Sequence, residues 1–219
     1  NVLKEIREDL KNKKSMNRLI QGDVGSGKTI VSVLAAAIVI SHDAQVAVMA
    51  PTEILAEQHY KSFMEFCKPI GIHIEIITGN IKKSERSKIH SNLKSGKIQL
   101  IIGTHALIQD DIKFKDLGMI IIDEQHRFGV EQRKALIDKG YSPEVLALTA
   151  TPIPRTLAFT IHGDMDISII DELPKNRLPI ITKIAQPDKM KQIYAFMKKE
   201  MDAKRQCFVI YPIIEESEK

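Results

Sequence analysis

Apolar runs and amphipathic segments alternate along residues 1–170 of the chain. Short continuous apolar runs predict buried strands at 15–20, 45–50, 72–78, 98–103, 119–122, 145–148 and 166–170. Helical periodicity predicts helices at 1–14, 28–40, 52–68, 84–93, 130–138 and 154–160. Strands that are apolar on both faces and alternate with helices indicate a mostly parallel sheet with helices on both faces. The pattern therefore predicts an α/β fold.

The alternation breaks at residues 173–179, a polar stretch with two prolines. Beyond it the pattern predicts one helix, residues 188–204, and one strand, residues 207–211. One helix and one strand cannot bury a core of their own. We expect residues 1–173 to form one domain, residues 174–182 a linker, and residues 183–219 the incomplete start of a second domain.

Composition narrows the classes of protein that fit. Of the 219 residues 43% are hydrophobic, enough for a core, and the net charge of +4 is compatible with a polyanionic partner. Aromatic residues are scarce, so binding to nucleic acid would depend on phosphate contacts more than on base stacking. The two cysteines have no metal-ligand spacing and indicate reduced intracellular thiols. The longest apolar run, residues 33–40, is too short to span a bilayer, which favours a cytoplasmic protein with no membrane partner.

The first motif that carries chemistry follows the first predicted strand. It fits the pattern G-x-x-x-x-G-K-[ST] of a P-loop and consists of Gly22, Asp23, Val24, Gly25, Ser26, Gly27, Lys28 and Thr29. Its glycines let backbone N–H groups surround an anion, and the following helix adds the positive end of its dipole. Lys28 would reach the β- and γ-phosphates of ATP, and the Thr29 hydroxyl would bind Mg²⁺. A chance match in a glycine-rich turn is the alternative, but the strand–loop–helix context argues against it.

A second motif ends the apolar run 119–122 with two carboxylates, Asp123 and Glu124. In a doubly wound sheet, ligands bind outside the carboxyl ends of the strands, so Asp123 should lie on the same edge as the P-loop. Asp123 can then hold Mg²⁺, while Glu124 orients or deprotonates the attacking water. A surface acidic pair is the alternative, and the P-loop favours the catalytic interpretation.

Four segments, in this order, resemble the motifs of superfamily 2 DNA translocases. The P-loop resembles motif I, residues 50–53 (APTE) resemble motif Ia, residues 123–126 (DEQH) resemble the DExH box of motif II, and residues 149–151 (TAT) resemble motif III. Longer stretches are similar to the RecG-type ATP-dependent DNA helicases, namely residues 22–29, 50–59, 123–130 and 149–156. The motor of transcription-repair coupling factors is the nearest alternative, although it differs around motifs I and Ia.

The resemblance implies a RecA-like P-loop NTPase domain that uses ATP and Mg²⁺ to translocate on branched DNA, such as stalled replication forks and Holliday junctions, in recombination and repair at the nucleoid. It implies catalytic roles for Lys28, Asp123, Glu124 and His126. It further implies that Gln125, Thr149 and Thr151 couple nucleotide state to domain movement. Thr52 and Thr104 are candidate contacts to DNA phosphates, although each threonine can equally be a helix cap or a strand end.

Several parts of the family's machinery do not occur in this sequence. They are the adenine-reading glutamine, the amino-terminal wedge domain and the arginine fingers in the remainder of the second motor domain. Because such arginines stabilise the transferring phosphoryl group, we expect this chain to bind nucleotide but to hydrolyse it poorly.

A nucleotide-dependent DNA-binding switch without unwinding is a second hypothesis, but it would not need motifs Ia and III. A P-loop kinase would need clustered lid arginines, which the sequence lacks.

Overall fold

Within residues 1–79, 81–151 and 165–172, seven parallel strands form one sheet. The computed structural model describes these residues together with residues 180–210. The strands are β1 Asn17–Gly22, β2 Gln45–Met49, β3 Ile74–Ile77, β4 Leu100–Gly103, β5 Leu117–Asp123, β6 Glu144–Thr149 and β7 Asp166–Ile170. Their spatial order is β3-β4-β2-β5-β6-β1-β7, and every neighbouring pair is parallel.

Helices cover both faces of this sheet. They are α1 Val2–Asp9, α2 Lys28–Ile40, α3 Glu53–Cys67, α4 Lys83–Lys94 and α5 Val130–Ile137. Side chains of α1, α2 and α3 share one buried cluster with Val46 and Val48 of β2, whereas side chains of α4 and α5 share another with Ala47 and Met49. Because successive strand residues point to opposite faces, both faces are apolar and buried. The predicted α/β fold with a parallel sheet is confirmed.

Local chemistry explains where two of the central helices begin. Gly27 precedes α2 with φ of 96°, a left-handed conformation that favours glycine. Thr52 precedes α3 in an extended conformation, and its hydroxyl accepts a hydrogen bond from the N–H of Leu55 at 3.3 Å. This is the N-cap that a threonine before a helix provides.

A buried arginine binds the first helix to the sheet. The Arg18 side chain of β1 donates from Nε to Asp9 Oδ2 at 2.5 Å and from Nη1 to Glu5 Oε2 at 3.2 Å. Nη1 also donates to Ser168 Oγ of β7 at 2.8 Å. Only 8% of Arg18 is exposed, so these partners compensate the cost of burying its charge.

Strand register brings the three central motifs to one edge of the sheet. Asp123 at the end of β5 is paired with Leu148 of β6, and Thr149 of β6 is paired with Gln21 of β1. The next residue of β1, Gly22, opens the P-loop. The loops that follow β1, β5 and β6 therefore start side by side.

The structure departs from the predicted elements in two places. The helix expected over residues 1–14 ends at Asp9, and residues 11–14 form an exposed turn. Asp9 binds Arg18, so the chain must reverse within a few residues to enter β1. The strand expected over 207–211 is wrong for residues 207–210, which are irregular and have no ladder partner among the described residues. The expected helix at 154–160 lies outside the described residues, as does most of the expected linker.

The chain divides into two compact units, residues 1–175 and 176–219. In the second unit the described residues form a 3₁₀ turn, Pro187–Lys189, followed by helix α6, Met190–Asp202. The thiol of Cys207 lies 3.7 Å from the carbonyl oxygen of Met197. Among the described residues, no helix is both long and apolar enough to cross a membrane.

Candidate functional site

The loop between β1 and α2 curves tightly around its own lysine. Gly25 and Gly27 have φ of 79° and 96°, left-handed values that a side chain would strain. A Cβ on Gly22 would lie 2.5 Å from Ser26 Oγ. Lys28 Nζ donates to the carbonyl oxygens of Gly22 at 2.6 Å and Asp23 at 2.9 Å. The ammonium group therefore lies at the inner side of the loop, the position expected for a phosphate-binding lysine.

The electrostatics of Lys28 reflect two opposing influences. Burial lowers the pKa of the Lys28 ammonium, and the carboxylates of Glu124, Asp123 and Asp23 oppose this shift. The positive group and the two motif II carboxylates thus act on each other within one site. This arrangement suits a polyphosphate with a divalent cation, because both charges of the ligand find a complementary partner.

Asp123, the predicted metal ligand, has a partner from another helix. His59 of α3 donates from Nε2 to Asp123 Oδ2 at 2.7 Å. The His59 and Asp123 side chains are only 14% and 13% exposed. The sequence analysis did not relate His59 to Asp123, because no motif links the two positions.

Glu124 is held by the loop of motif III. Its backbone is left-handed, with φ of 47° and ψ of 56°. Thr149 Oγ1 donates to Glu124 Oε2 at 3.3 Å, and the N–H of Ala150 donates to Oε1 at 3.2 Å. Thr149 Oγ1 in turn accepts from the N–H of Thr151 at 3.1 Å. The predicted water-activating carboxylate is therefore in direct contact with two of the three residues of motif III.

The remaining two residues of the DExH box differ in exposure. Gln125 is 2% exposed, and its side-chain oxygen accepts a hydrogen bond from Arg133 Nη1 of α5 at 3.3 Å. His126 has a side chain that is 47% exposed, with Nδ1 3.5 Å from Glu124 Oε2. Arg133 is a second residue that sequence reasoning missed, because nothing in its spacing relates it to Gln125.

Two adjacent cavities contain many of the predicted site residues. One, of about 490 Å³, is lined by residues of the P-loop, α3 and motifs II and III, including Lys28, Thr29, His59, Asp123 and Glu124. The other, of about 480 Å³, is lined by Pro51, Thr52, Leu55, Glu124, His126, Arg127 and Thr151. Glu124 lines both cavities. It therefore connects the cavity that contains the P-loop with the cavity that contains motif Ia.

The two candidate DNA contacts have different surroundings. Thr52 is exposed and caps α3, so its hydroxyl already has a structural role. Thr104 follows β4 and is 3% exposed, and its hydroxyl has no hydrogen-bond partner among the described residues. Neither residue lines the cavity that contains Lys28.

The donors around Asp123 fit Mg²⁺. Among the described residues no group of three or more His, Cys, Asp and Glu side chains could hold a metal ion. Mg²⁺ at a nucleotide does not require one, because it keeps several waters and takes one or two protein oxygens together with phosphate oxygens. Thr29 and Asp123 both line the cavity and supply one hydroxyl and one carboxylate.

Comparison with known proteins shows where this site belongs. Residues 3–159 match the DEAD/DEAH box helicase family. The chain belongs to this family. This membership agrees with the P-loop, the DExH box and the motif III loop that lie on one edge of the RecA-like parallel sheet.

Individual relatives agree with the resemblance to RecG-type helicases. The ATP-dependent DNA helicase RecG of Aquifex aeolicus is 52% identical over 100% of this chain and 28% of its own length. RecG of Bacillus subtilis is 49% identical over 100% of this chain and 32% of its own length. A solved structure of RecG bound to a three-way DNA junction has 43% identity and a TM-score of 0.84, covering 97% of this chain and 28% of that one. The chain thus spans about a third or less of these relatives.

Proposed function

We propose that this chain is the ATP-binding motor of an ATP-dependent DNA helicase that acts on branched DNA in recombination and repair. The observation that carries the proposal is that Lys28, Asp123 and Glu124 line one cavity while Glu124 is hydrogen-bonded to the Thr149 loop. The similarity to RecG helicases, one of them solved with a three-way DNA junction, favours forks and Holliday junctions as substrates. The same similarity disfavours the motor of a transcription-repair coupling factor.

The proposed chemistry assigns one task to each residue. Backbone N–H groups of residues 22–29 and the Lys28 ammonium hold the phosphates of ATP. Thr29 and Asp123 would hold Mg²⁺, which neutralises charge on the phosphates. Glu124 orients a water and accepts its proton as the water oxygen bonds to the γ-phosphorus. The bond from that phosphorus to the bridging oxygen breaks, and ADP and phosphate leave.

The rest of the proposal concerns DNA and domain organisation. Thr52 and Thr104 follow the carboxyl ends of β2 and β4, on the same edge as motif I, and we assign them to DNA phosphates, Thr104 through its backbone N–H because its hydroxyl is buried. We further propose that residues 1–173 are the first motor domain, residues 174–182 a linker and residues 183–219 the start of a second motor domain. A substrate of this kind implies action in the cytoplasm, at the nucleoid.

Hydrolysis of ATP by the full-length protein on branched DNA tests the proposal. Lys28→Ala should lower the DNA-stimulated rate about 100-fold or more, because it removes a charged donor at the transferring phosphoryl group. Lys68→Ala, at an exposed lysine after α3, is the matched control and should retain the rate. Fork regression assayed with the same proteins separates a helicase from a nucleotide-dependent switch. Full ATPase activity in the Lys28 variant would refute the assigned site.

A further inference from the structure

Helix α3 connects two motifs that are far apart in the sequence. Thr52 caps its first turn, and His59, two turns later, lies in the cavity of the P-loop. The His59 Nε2 atom is 2.7 Å from Asp123 Oδ2, although 64 residues separate the two along the chain. A residue that follows motif Ia therefore touches the carboxylate of motif II directly.

The chemistry of this contact fixes the direction of the hydrogen bond. An ionised carboxylate can only accept, so Nε2 of His59 carries the proton. The imidazole occupies one oxygen of Asp123, Oδ2, and leaves Oδ1 available to a cation. Because both side chains are mostly buried, water competes weakly for the bond, and the carboxylate has little rotational freedom.

The His59 ring is itself held in place. It packs edge-on against the Phe63 ring, with centroids 6.3 Å apart and an interplanar angle of 81°. Phe63 is 1% exposed and lies in the core cluster beneath α3. Because His59 is held by this packing, its hydrogen bond can keep the Asp123 carboxylate in one orientation before a metal ion binds.

We propose that His59 is a positioning residue, which orients Asp123 for the divalent cation that accompanies the nucleotide. The inference rests on the proposed function, because it requires that Asp123 serve a metal–nucleotide complex. Partners that orient a metal ligand typically contribute 10–100-fold to metal affinity. A purely structural bond between α3 and β5 would instead affect every ligand of the cavity alike.

The test compares nucleotide affinity with and without the metal. ADP is titrated into the chain by calorimetry, once with saturating Mg²⁺ and once with EDTA, and the ratio of the two Kd values measures the contribution of the cation. His59→Ala should reduce this ratio about 10-fold while changing the Kd in EDTA little. His59→Gln, whose amide N–H can still donate to Asp123, should restore most of the ratio.

Two controls keep the outcome interpretable. His42→Ala, at an exposed histidine after α2, should leave the ratio unchanged. Should the alanine variant not fold, His59→Phe replaces it, because a phenyl ring keeps the volume against Phe63 but cannot donate. Thermal unfolding of each variant shows whether the fold is retained.

Each result decides the matter. A reduced ratio that glutamine restores supports the inference. An unchanged ratio overturns it, as does an equal loss of affinity with and without Mg²⁺, which would make the bond structural only. If Lys28→Ala binds ADP as tightly as the parent chain does, the proposed nucleotide site is wrong. The inference about His59, which rests on that site, is then wrong too.

Discussion

At the scale of single residues, Glu124 holds an unfavourable backbone conformation. A left-handed conformation costs a residue with a side chain about 1 kcal/mol or more. Here the Glu124 carboxylate accepts hydrogen bonds from Thr149 and Ala150 and lies beside His126. These contacts offset the strain and hold the carboxylate between the cavity that contains the P-loop and the cavity that contains motif Ia. Strain of this kind is typical of functional sites.

Replacing Thr149 by valine should uncouple motif III from this carboxylate. Valine keeps the volume of a side chain that is 1% exposed but removes the donor to Glu124 and the acceptor for the N–H of Thr151. A lost hydrogen bond of about 1 kcal/mol corresponds to a rate loss of about 5-fold or more. We expect DNA-stimulated ATP hydrolysis by the full-length protein to fall accordingly, with ADP affinity nearly unchanged.

The serine variant is the matched control for this prediction. Thr149→Ser retains the hydroxyl and should keep most of the rate. Equal rates for the valine variant and the parent would show that the Glu124–Thr149 bond has no part in hydrolysis. A loss in the serine variant alone would point to packing of the threonine methyl group instead.

At the scale of elements, a half-buried carboxylate at the start of β6 binds the backbone just before β1. The backbone N–H of Met16 donates to Glu144 Oε2. Burial raises the pKa of Glu144 above its ordinary value of 4.5, and the hydrogen bond from Met16 opposes part of that shift. The folded state therefore binds the Glu144 proton more tightly than the unfolded state does.

The sign of the resulting pH dependence follows from this difference. The contribution of Glu144 to stability is fully present below about pH 4.5 and is lost as pH rises through the raised pKa. Glu144→Gln stays neutral at every pH and can still accept from Met16. We expect the variant to melt above the parent at pH 7 and this difference to shrink towards pH 4.

Differential scanning calorimetry across pH measures that difference. Glu57→Gln, at an exposed glutamate of α3, is the matched control and should show no such trend. A constant difference between variant and parent over the whole pH range would mean that Glu144 ionisation does not affect the fold.

Most elements could be predicted because their signals are local. Continuous apolar runs located all seven strands of the described sheet to within a few residues, and α2 and β7 have the predicted bounds. The end of α1 could not be predicted, because it depends on the bond between Asp9 and Arg18 rather than on a stop signal in residues 10–14. The strand expected at 207–210 failed for a related reason, since a strand needs a partner and apolar residues alone do not supply one.

At the scale of the whole molecule, the candidate site combines predictable and unpredictable parts. Parallel strands carry their following loops to one edge, so the meeting of Lys28 with Asp123 and Glu124 could be predicted from motifs and topology. The contact between His59 and Asp123 could not, because it depends on how α3 lies across the end of β5. The catalytic, coupling and DNA-binding roles of the individual site residues stay predictions until variants are measured.

The two units can be followed separately through their cysteines, one in each. Cys67 of α3 is fully buried, and burial raises the pKa of its thiol, whereas Cys207 is only half-buried. Because alkylation requires an accessible thiolate, we expect iodoacetamide to modify Cys207 of the native chain at least about 100-fold faster than Cys67. That factor corresponds to an opening free energy of about 3 kcal/mol for α3.

Mass spectrometry of peptides over a urea series should show Cys67 reacting only when the sheet of the first unit unfolds. Cys207→Ser is the control that isolates this signal. If both thiols became reactive at one urea concentration, the proposed division into a first domain and a following segment would be wrong.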